Sequence, residues 1–547
     1  MRIPALFRSK CEKLVNFLES APISVQTWSV SFVAILTVRF FFESVFLNFE
    51  SVEFFEFLAS FLHGTVLFFL FSFVLSVLFL MAITGENIKK IANVVLWGQW
   101  LAVLPPIIDK IIFKDRQVWS FYIFDSVKGL AHRFVTFFGD NPDFGVTWGT
   151  RGEVLIAMVF LGIYVYIKKK KVIWLFLGVF FSYILFFILG VFPSIVTFVV
   201  EMIRGNDLFA INKAHVIKLF LTPARYLGIE KGTIKTALSF KLALVYNILL
   251  FCELIILQFF VNKKKFMALV KNIRYPQMSL NIGLLFVGIG LGCFYFPQNF
   301  SLSFFSILAV ANLLIAIFSA WYFSVFVNDL ADIAIDKITN ASRPLITKTL
   351  TEDEFKTYSL VFLVISLLSG MVISVKVFLL LALYLLVTWV YSQYPLRLKQ
   401  FVFISSALSS FALLLFLTIG YISLSDGQTL NLFPWKIIIF LFVVYALLVP
   451  IKDLKDTKGD RRAGIATLPC LIGTENARII LGAILFLSYF GSAVILSEKK
   501  LFIPAILFGI INYYIMASRK YNVRALPWWV LGIVFVYAIL LVLITFG

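Results

Sequence analysis

Two short windows hold nearly all the aspartate chemistry in the second half of this 547-residue chain. Residues 328–336 read NDLADIAID and residues 452–460 read KDLKDTKGD. Asp329, Asp332 and Asp336 repeat the spacing of Asp453, Asp456 and Asp460, DxxDxxxD in both, and these are six of only eight aspartates after residue 262. Each window directly follows an apolar run, 313–327 in the first case and 435–450 in the second. Positions i, i+3 and i+7 fall on one helix face, so each window predicts a stripe of three carboxylates at a helix end. Six carboxylates turned toward one cavity repel one another unless cations neutralise them. Hard oxygen ligands of this type suit Mg²⁺, which takes one or two carboxylates plus substrate phosphates in preference to a closed protein cage. Two facing acidic walls therefore suggest Mg²⁺ bridging to a diphosphate, with Arg343, Lys399 and Lys452 meeting the remaining phosphate oxygens.

The elements that position these residues follow from composition. The chain is 61% hydrophobic and 14% charged, with a mean hydropathy of +0.98. A soluble core cannot hide that much apolar surface, whereas a bilayer can. Apolar runs of the ~20 residues that a spanning helix needs recur along the whole length. The fold class is all-α, polytopic and membrane-embedded; the alternating ~10-residue segments of a membrane β-barrel do not appear. The net charge of +19 sits in short loops between apolar runs, as topology requires, and no basic-aromatic module points to nucleic acid. Cys11, Cys252, Cys293 and Cys470 are scattered, with neither disulfide nor zinc spacing. His63, His132 and His215 form no cluster in sequence.

The basic stretch NKKKFMALVKNIRYPQ (262–277) joins two halves, giving domains at 1–262 and 263–547. The second half predicts nine spans, near 279–296, 303–327, 357–374, 376–392, 401–423, 435–450, 479–496, 500–517 and 526–545. Loops on the side of the two acidic windows hold about 20 Lys and Arg, against Lys376, Lys436, Lys499 and Lys500 on the other. That bias places the acidic windows in the cytoplasm, in a multi-pass protein of the cell or inner membrane. The first half predicts about six spans, near 25–47, 58–83, 92–113, 153–167, 172–201 and 242–261. Lys168–Lys171 should be cytoplasmic, yet the basic stretch 203–241 would then fall outside. Either Pro193 breaks the run 172–201, or part of 203–241 is re-entrant. The basic, amphipathic N-terminus (1–20) reads as an interfacial helix and not as a cleaved signal. GDNPDFG (140–146) reads as turn chemistry in preference to a cation loop.

A diphosphate bound at a membrane interface suggests a substrate with an apolar tail, and a polyprenyl diphosphate fits. Metal and cations would stabilise the departing diphosphate, and aromatic side chains, 17% of the chain, would face the allylic cation. Here the residues match a known family. The second half resembles the UbiA superfamily of intramembrane prenyltransferases over about 270 residues: NDLADIAID fits NDxxDxxxD, KDLKDTKGD with GIATLP (464–469) fits KDxxDxxGD and its TLP tail, and YSQYPLRLK (391–399) fits YSxxPxRxK. The resemblance implies a nine-helix bundle and Mg²⁺-dependent prenyl transfer. It implies a metal and diphosphate shell of Asn328, Asp332, Asp336, Asp456 and Asp460, to which the repeated spacing adds Asp329 and Asp453. Lys452 and Arg343 would steady the diphosphate, Tyr391 or Ser392 would line the acceptor side, and Arg397 and Lys399 belong to the same substrate-binding set. Where members commonly carry RPxxSG, this chain has RPLITK (343–348), which alters the local loop.

The acceptor is not legible in the helices; IDKITNASRPL (335–345) resembles the quinone and glycerophosphate branches more than the haem branch. In the first half, residues 85–109 resemble the Gly…Lys…Pro pattern of Yip-type small membrane domains, beside a plainer reading as an accessory helical bundle. Two rival functions stand against the transferase. A cation or lipid transporter would use the acids as an ion path, but both stripes lie at one face of the membrane. A catalytically silent scaffold would show decay of one motif, and both are intact.

Overall fold

A bilayer leaves a backbone no partner for its N–H and C=O groups except itself, so apolar runs in it become helices. The computed structural model describes residues 5–21, 24–47, 65–113, 125–140, 146–231, 234–425, 432–462, 467–523 and 526–546. Among them fifteen helices are long and apolar enough to cross a membrane. The protein is an all-α, multi-pass integral membrane protein; among the described residues its single β element is a small hairpin, Ala224–Tyr226 with Ile229–Lys231. The chain divides into two compact units: Met1–Arg225 with Glu230–Val261, and Tyr226–Ile229 with Asn262–Gly547.

The first unit has six of the spans: Val25–Phe46, Leu67–Thr84, Ile88–Phe113, Trp148–Lys169, Ile173–Gly190 and Ala237–Val261. The run expected at 172–201 divides at Val191, and Pro193 lies in the first turn of a separate helix, Phe192–Ile203. Proline is tolerated there because a first-turn N–H needs no intrahelical partner. The N-terminal amphipathic stretch forms the helix Ala5–Ser20. It is tied down by Glu19, which accepts from Tyr164 Oη at 2.9 Å and from Lys168 Nζ at 2.5 Å. Of the 140–146 turn, residues 141–145 lie outside the described residues, as do 58–64 of the expected second span.

The second unit carries nine spans: Tyr275–Tyr295, Phe304–Ala331, Glu352–Ile373, Val375–Ser392, Phe403–Ile422, Trp435–Lys455, Thr474–Ile495, Lys499–Ala517 and Leu526–Ile544. Each packs against the next and the ninth returns to the first, which closes the bundle. Polar residues set the ends: Thr351 and Glu354 form a capping box at the third helix, and Ser374 Oγ accepts from Val377 N to open the fourth. Two apolar clusters sit directly behind the acidic windows. Trp321, Tyr322, Val325 and Phe326 pack with Leu345, Leu350 and Phe355 behind the first. Leu454 packs with Ala477, Leu481, Met516 and Leu526 behind the second.

Candidate active site

Both acidic windows break at their middle aspartate. The second helix ends at Ala331, Asp332 caps it with φ −110° and ψ 19°, and a new helix runs Ile333–Thr339. The sixth helix tightens to a 3₁₀ turn over Val449–Lys455, opened by Pro450; Asp456 caps it with φ −99° and ψ 0°, and Thr457–Arg462 follows. The continuous three-carboxylate face expected from the spacing is thus corrected to two short bent segments. The bridge-region backbone at Asp332 and Asp456 is a conformation that active-site residues often occupy.

The two bent segments meet. Ile333–Thr339 packs on Thr457–Arg462, and glycine sits at the tight crossing. A Cβ on Gly459 would lie 2.7 Å from Thr339 Cγ2 and 3.0 Å from Ile335 Cγ2. Asn340 Nδ2 bridges the windows, donating to Asp336 Oδ1 at 3.1 Å and to Asp456 Oδ1 at 3.3 Å.

The windows differ in how their charge is met. In the first, Asp329 pairs with Arg274 and Arg343, Asp336 pairs with Arg343, and Asp332 receives Lys399 Nζ at 2.5 Å and Arg397 Nη2 at 3.2 Å. In the second, Asp453, Asp456 and Asp460 enter no ion pair among the described residues. Burial pushes the Asp460 carboxyl up to about 7, with Asp453, Asp456 and Asp332 adding repulsion and Lys399 opposing it. Burial likewise raises Asp336 to about 6, despite Arg343 beside it. Burial works against the Arg343 charge, but Asp329 and Asp336 outweigh it and hold its pKa above the ordinary value. Lys399 is lowered by burial, against the pull of Asp332.

Most of these groups border one cavity of about 1580 Å³ within the second unit. Asn328, Asp332, Asp336, Arg343, Tyr391, Ser392, Lys399, Lys452, Asp453, Asp456 and Asp460 line it. Of the residues singled out from sequence, Asp329 and Arg397 stand behind the wall, reaching the site through their ion pairs. Lys452 Nζ donates to Tyr391 Oη at 3.1 Å and lies 5.2 Å from the centre of its ring. Away from the charged mouth the lining is apolar and aromatic, with Leu284, Phe294, Phe440, Leu441, Tyr445 and Val534 among it. Residues 284–529 match the model of the UbiA prenyltransferase family. These residues are a UbiA prenyltransferase family domain.

The chain is 31% identical to the chloroplast chlorophyll synthase of Arabidopsis thaliana over 234 residues, covering 38% of this chain and 58% of that protein. It is 30% identical to the digeranylgeranylglyceryl phosphate synthase of Sulfolobus acidocaldarius over 175 residues, 30% of this chain and 58% of that one. The chain spans about 60% of the length of the first of the curated relatives it matches, the chlorophyll synthase of Avena sativa. Among solved structures, a UbiA homolog from Archaeoglobus fulgidus bound to DMAPP and Mg²⁺ aligns with a TM-score of 0.39 and 21% identity, across 49% of this chain and 95% of its own.

The second unit also brings in residues that the motifs do not announce. Arg274 and Lys455 line the cavity, and Asn272 and Asn340 hydrogen-bond the aspartates. Arg274 lies in the basic linker, where its charge reads only as topology. Asn340 was visible four residues after Asp336, the spacing that places two side chains on one helix face.

Proposed function

We propose that the second unit transfers a prenyl group from a polyprenyl diphosphate to a glycerophosphate-type or quinone-precursor acceptor within the membrane. The observation that carries this reading is the convergence of two acidic windows on the mouth of one long apolar cavity. The UbiA domain supports prenyl transfer, and the names of the relatives, which include digeranylgeranylglyceryl phosphate synthases, favour the glycerophosphate-type acceptor over the quinone precursor. In the reaction the prenyl C–O bond breaks, its electron pair leaves on the diphosphate, and the carbon bonds to the acceptor nucleophile as that loses a proton. Arg343, Lys399 and Lys452 would hold the diphosphate and stabilise the charge it gains. Trp321, Tyr384 and Tyr445, which line the cavity, would turn π faces toward the allylic carbon and exclude water.

The donor set fits a divalent cation. Five aspartates and Asn328 line one mouth, and three of those aspartates are unpaired by Lys or Arg among the described residues. No three acidic, His or Cys groups among the described residues form a cage by themselves, so a Mg²⁺ ion here would take further ligands from substrate oxygens. Asn328, Asp332, Asp336, Asp453, Asp456 and Asp460 would hold Mg²⁺, and when bound it supplies positive charge to the leaving diphosphate. The Lys and Arg bias of the loops supports a cytoplasmic mouth. The first unit is an accessory membrane bundle in this reading.

The test is lipid mass spectrometry on membranes expressing the chain, given a labelled prenyl diphosphate series and a panel of glycerophosphate and quinone-precursor acceptors. The expected result is Mg²⁺-dependent product, reduced at least about 100-fold by Asp332→Asn or Asp456→Asn. Full turnover in EDTA, or in both variants, would overturn the reading. Cation transport into proteoliposomes without prenyl turnover would favour a transporter instead.

A further inference from the structure

Asp329 belongs by spacing to the first acidic window, but its surroundings differ from those of the other five aspartates. It is 1% exposed and does not line the cavity. Both of its oxygens are taken: Oδ1 accepts from Arg274 Nη2 and, at 2.9 Å, from Arg343 Nη1, while Oδ2 accepts from Asn272 Nδ2 at 3.2 Å. A carboxylate enclosed by three nitrogen donors offers a cation no open face. The two arginines it holds do line the cavity. We infer that Asp329 is a positioning residue, not a metal ligand, and that it sets Arg274 and Arg343 as a guanidinium pair for the phosphate head of the substrate. This inference rests on the diphosphate reading given above.

Arg274 is delivered to the site by the segment that joins the two halves of the sequence. That segment forms a short helix, Lys263–Lys271. Its Leu269 is buried in the apolar cluster behind the first window, and Tyr322 Oη donates to Leu269 O at 2.6 Å. Lys265 pairs with Glu354 on the third helix. The helix is thus fixed on both sides, and Arg274 emerges from it directly before the first spanning helix. Asp329 is Arg274's sole ion-pair partner among the described residues. A guanidinium has five N–H donors in a planar fork, so a bond to Asp329 leaves donors free for a phosphate, a bidentate geometry that lysine cannot reproduce. Arg343 is held more firmly, between Asp329 and Asp336.

The experiment uses the full chain in detergent and two binding measurements that need no turnover. Inorganic pyrophosphate is titrated by calorimetry at saturating Mg²⁺, and Mn²⁺, standing in for Mg²⁺, is titrated alone by electron paramagnetic resonance. Arg274→Gln and Asp329→Asn should each weaken pyrophosphate by about tenfold or more, the worth of one charge-assisted hydrogen bond. Arg274→Lys should recover part of that loss. Neither Asp329→Asn nor Arg274→Gln should move the Mn²⁺ affinity, whereas Asp456→Asn should. Arg274→Gln changes a residue on the cavity wall, so it keeps the test usable should the buried Asp329→Asn fail to fold. A Mn²⁺ affinity that drops in Asp329→Asn as it does in Asp456→Asn would make Asp329 a ligand and overturn the inference. Unaltered pyrophosphate affinity in Arg274→Gln would remove Arg274 from the anion site and overturn it as well. If the unsubstituted protein binds Mn²⁺ but no pyrophosphate, the diphosphate reading itself fails, and this inference with it.

Discussion

At Asp460 and Asp336 burial sets the acidity, and the consequence is a pH dependence with a definite sign. An unfolded aspartate titrates near 4, whereas Asp460 stands at about 7 and Asp336 at about 6 in the folded chain. Between those values the folded state holds more protons than the unfolded one, so these two groups make stability fall as pH rises. Their contribution is fully present below about 4 and lost once the pH passes about 7. A bound divalent cation needs the carboxylates ionised, so binding releases those protons and gains strength over the same window. We expect the thermal midpoint of the protein in EDTA to fall between pH 5 and 8, and the gain from added Mg²⁺ to grow. Asp460→Asn should remove most of both trends. A Mg²⁺ gain that is flat with pH in the unsubstituted protein would show that Asp460 takes no part in the site.

The sequence announces both acidic windows but not their bend. The repeated DxxDxxxD spacing is legible because six aspartates near hydrocarbon stand out from any apolar background. That each stripe stops at Asp332 or Asp456 is not legible, because i, i+3, i+7 spacing looks the same whether a helix continues or restarts. Pro450, which opens the 3₁₀ turn of the second window, was the one local signal of a break. Gly459 likewise reads as a motif letter until Ile335 and Thr339 are seen across from it. The contact makes a specific prediction. Gly459→Ala places a Cβ 2.7 Å from Thr339 Cγ2, an overpacking that should cost about 1–3 kcal/mol and appear as a lower thermal midpoint with weaker Mn²⁺ binding. Thr339→Ser removes that methyl but keeps a hydroxyl able to donate to Ile335 O, as Thr339 does at 3.1 Å. Combined with Gly459→Ala it should recover part of the loss, a coupling that a double-mutant cycle reads directly. Strict additivity of the two substitutions would mean that the windows are not held together at this point.

Across the whole chain, hydropathy marks nine spans after the basic linker and six before it because a bilayer forces each apolar run into a helix. Nothing in that pattern marks Tyr226–Ile229, four residues from the first half that belong to the second unit. They are held by single polar contacts that leave no periodicity in sequence. Tyr226 Oη donates to Val372 O at 3.1 Å, Leu227 N donates to Ser306 Oγ at 3.2 Å, and Gly228 N donates to Ser423 O at 3.1 Å. These partners lie at or beside the ends of the second, third and fifth spans that point away from the acidic windows. Gly228 approaches so closely that a Cβ there would sit 2.1 Å from Leu424 O. Backbone cannot swing aside as a side chain can, so Gly228→Ala must push residues 226–229 off their seat and strain those polar contacts. We expect a loss of about 1–3 kcal/mol in the full chain, read as a fall in the thermal midpoint. A fragment beginning at Asn262 lacks all three contacts and should unfold at a lower temperature still. If Gly228→Ala and the fragment both match the full chain in thermal midpoint, residues 226–229 contribute nothing to the second unit. If both fall, the second unit depends on residues that its own family domain, 284–529, does not contain.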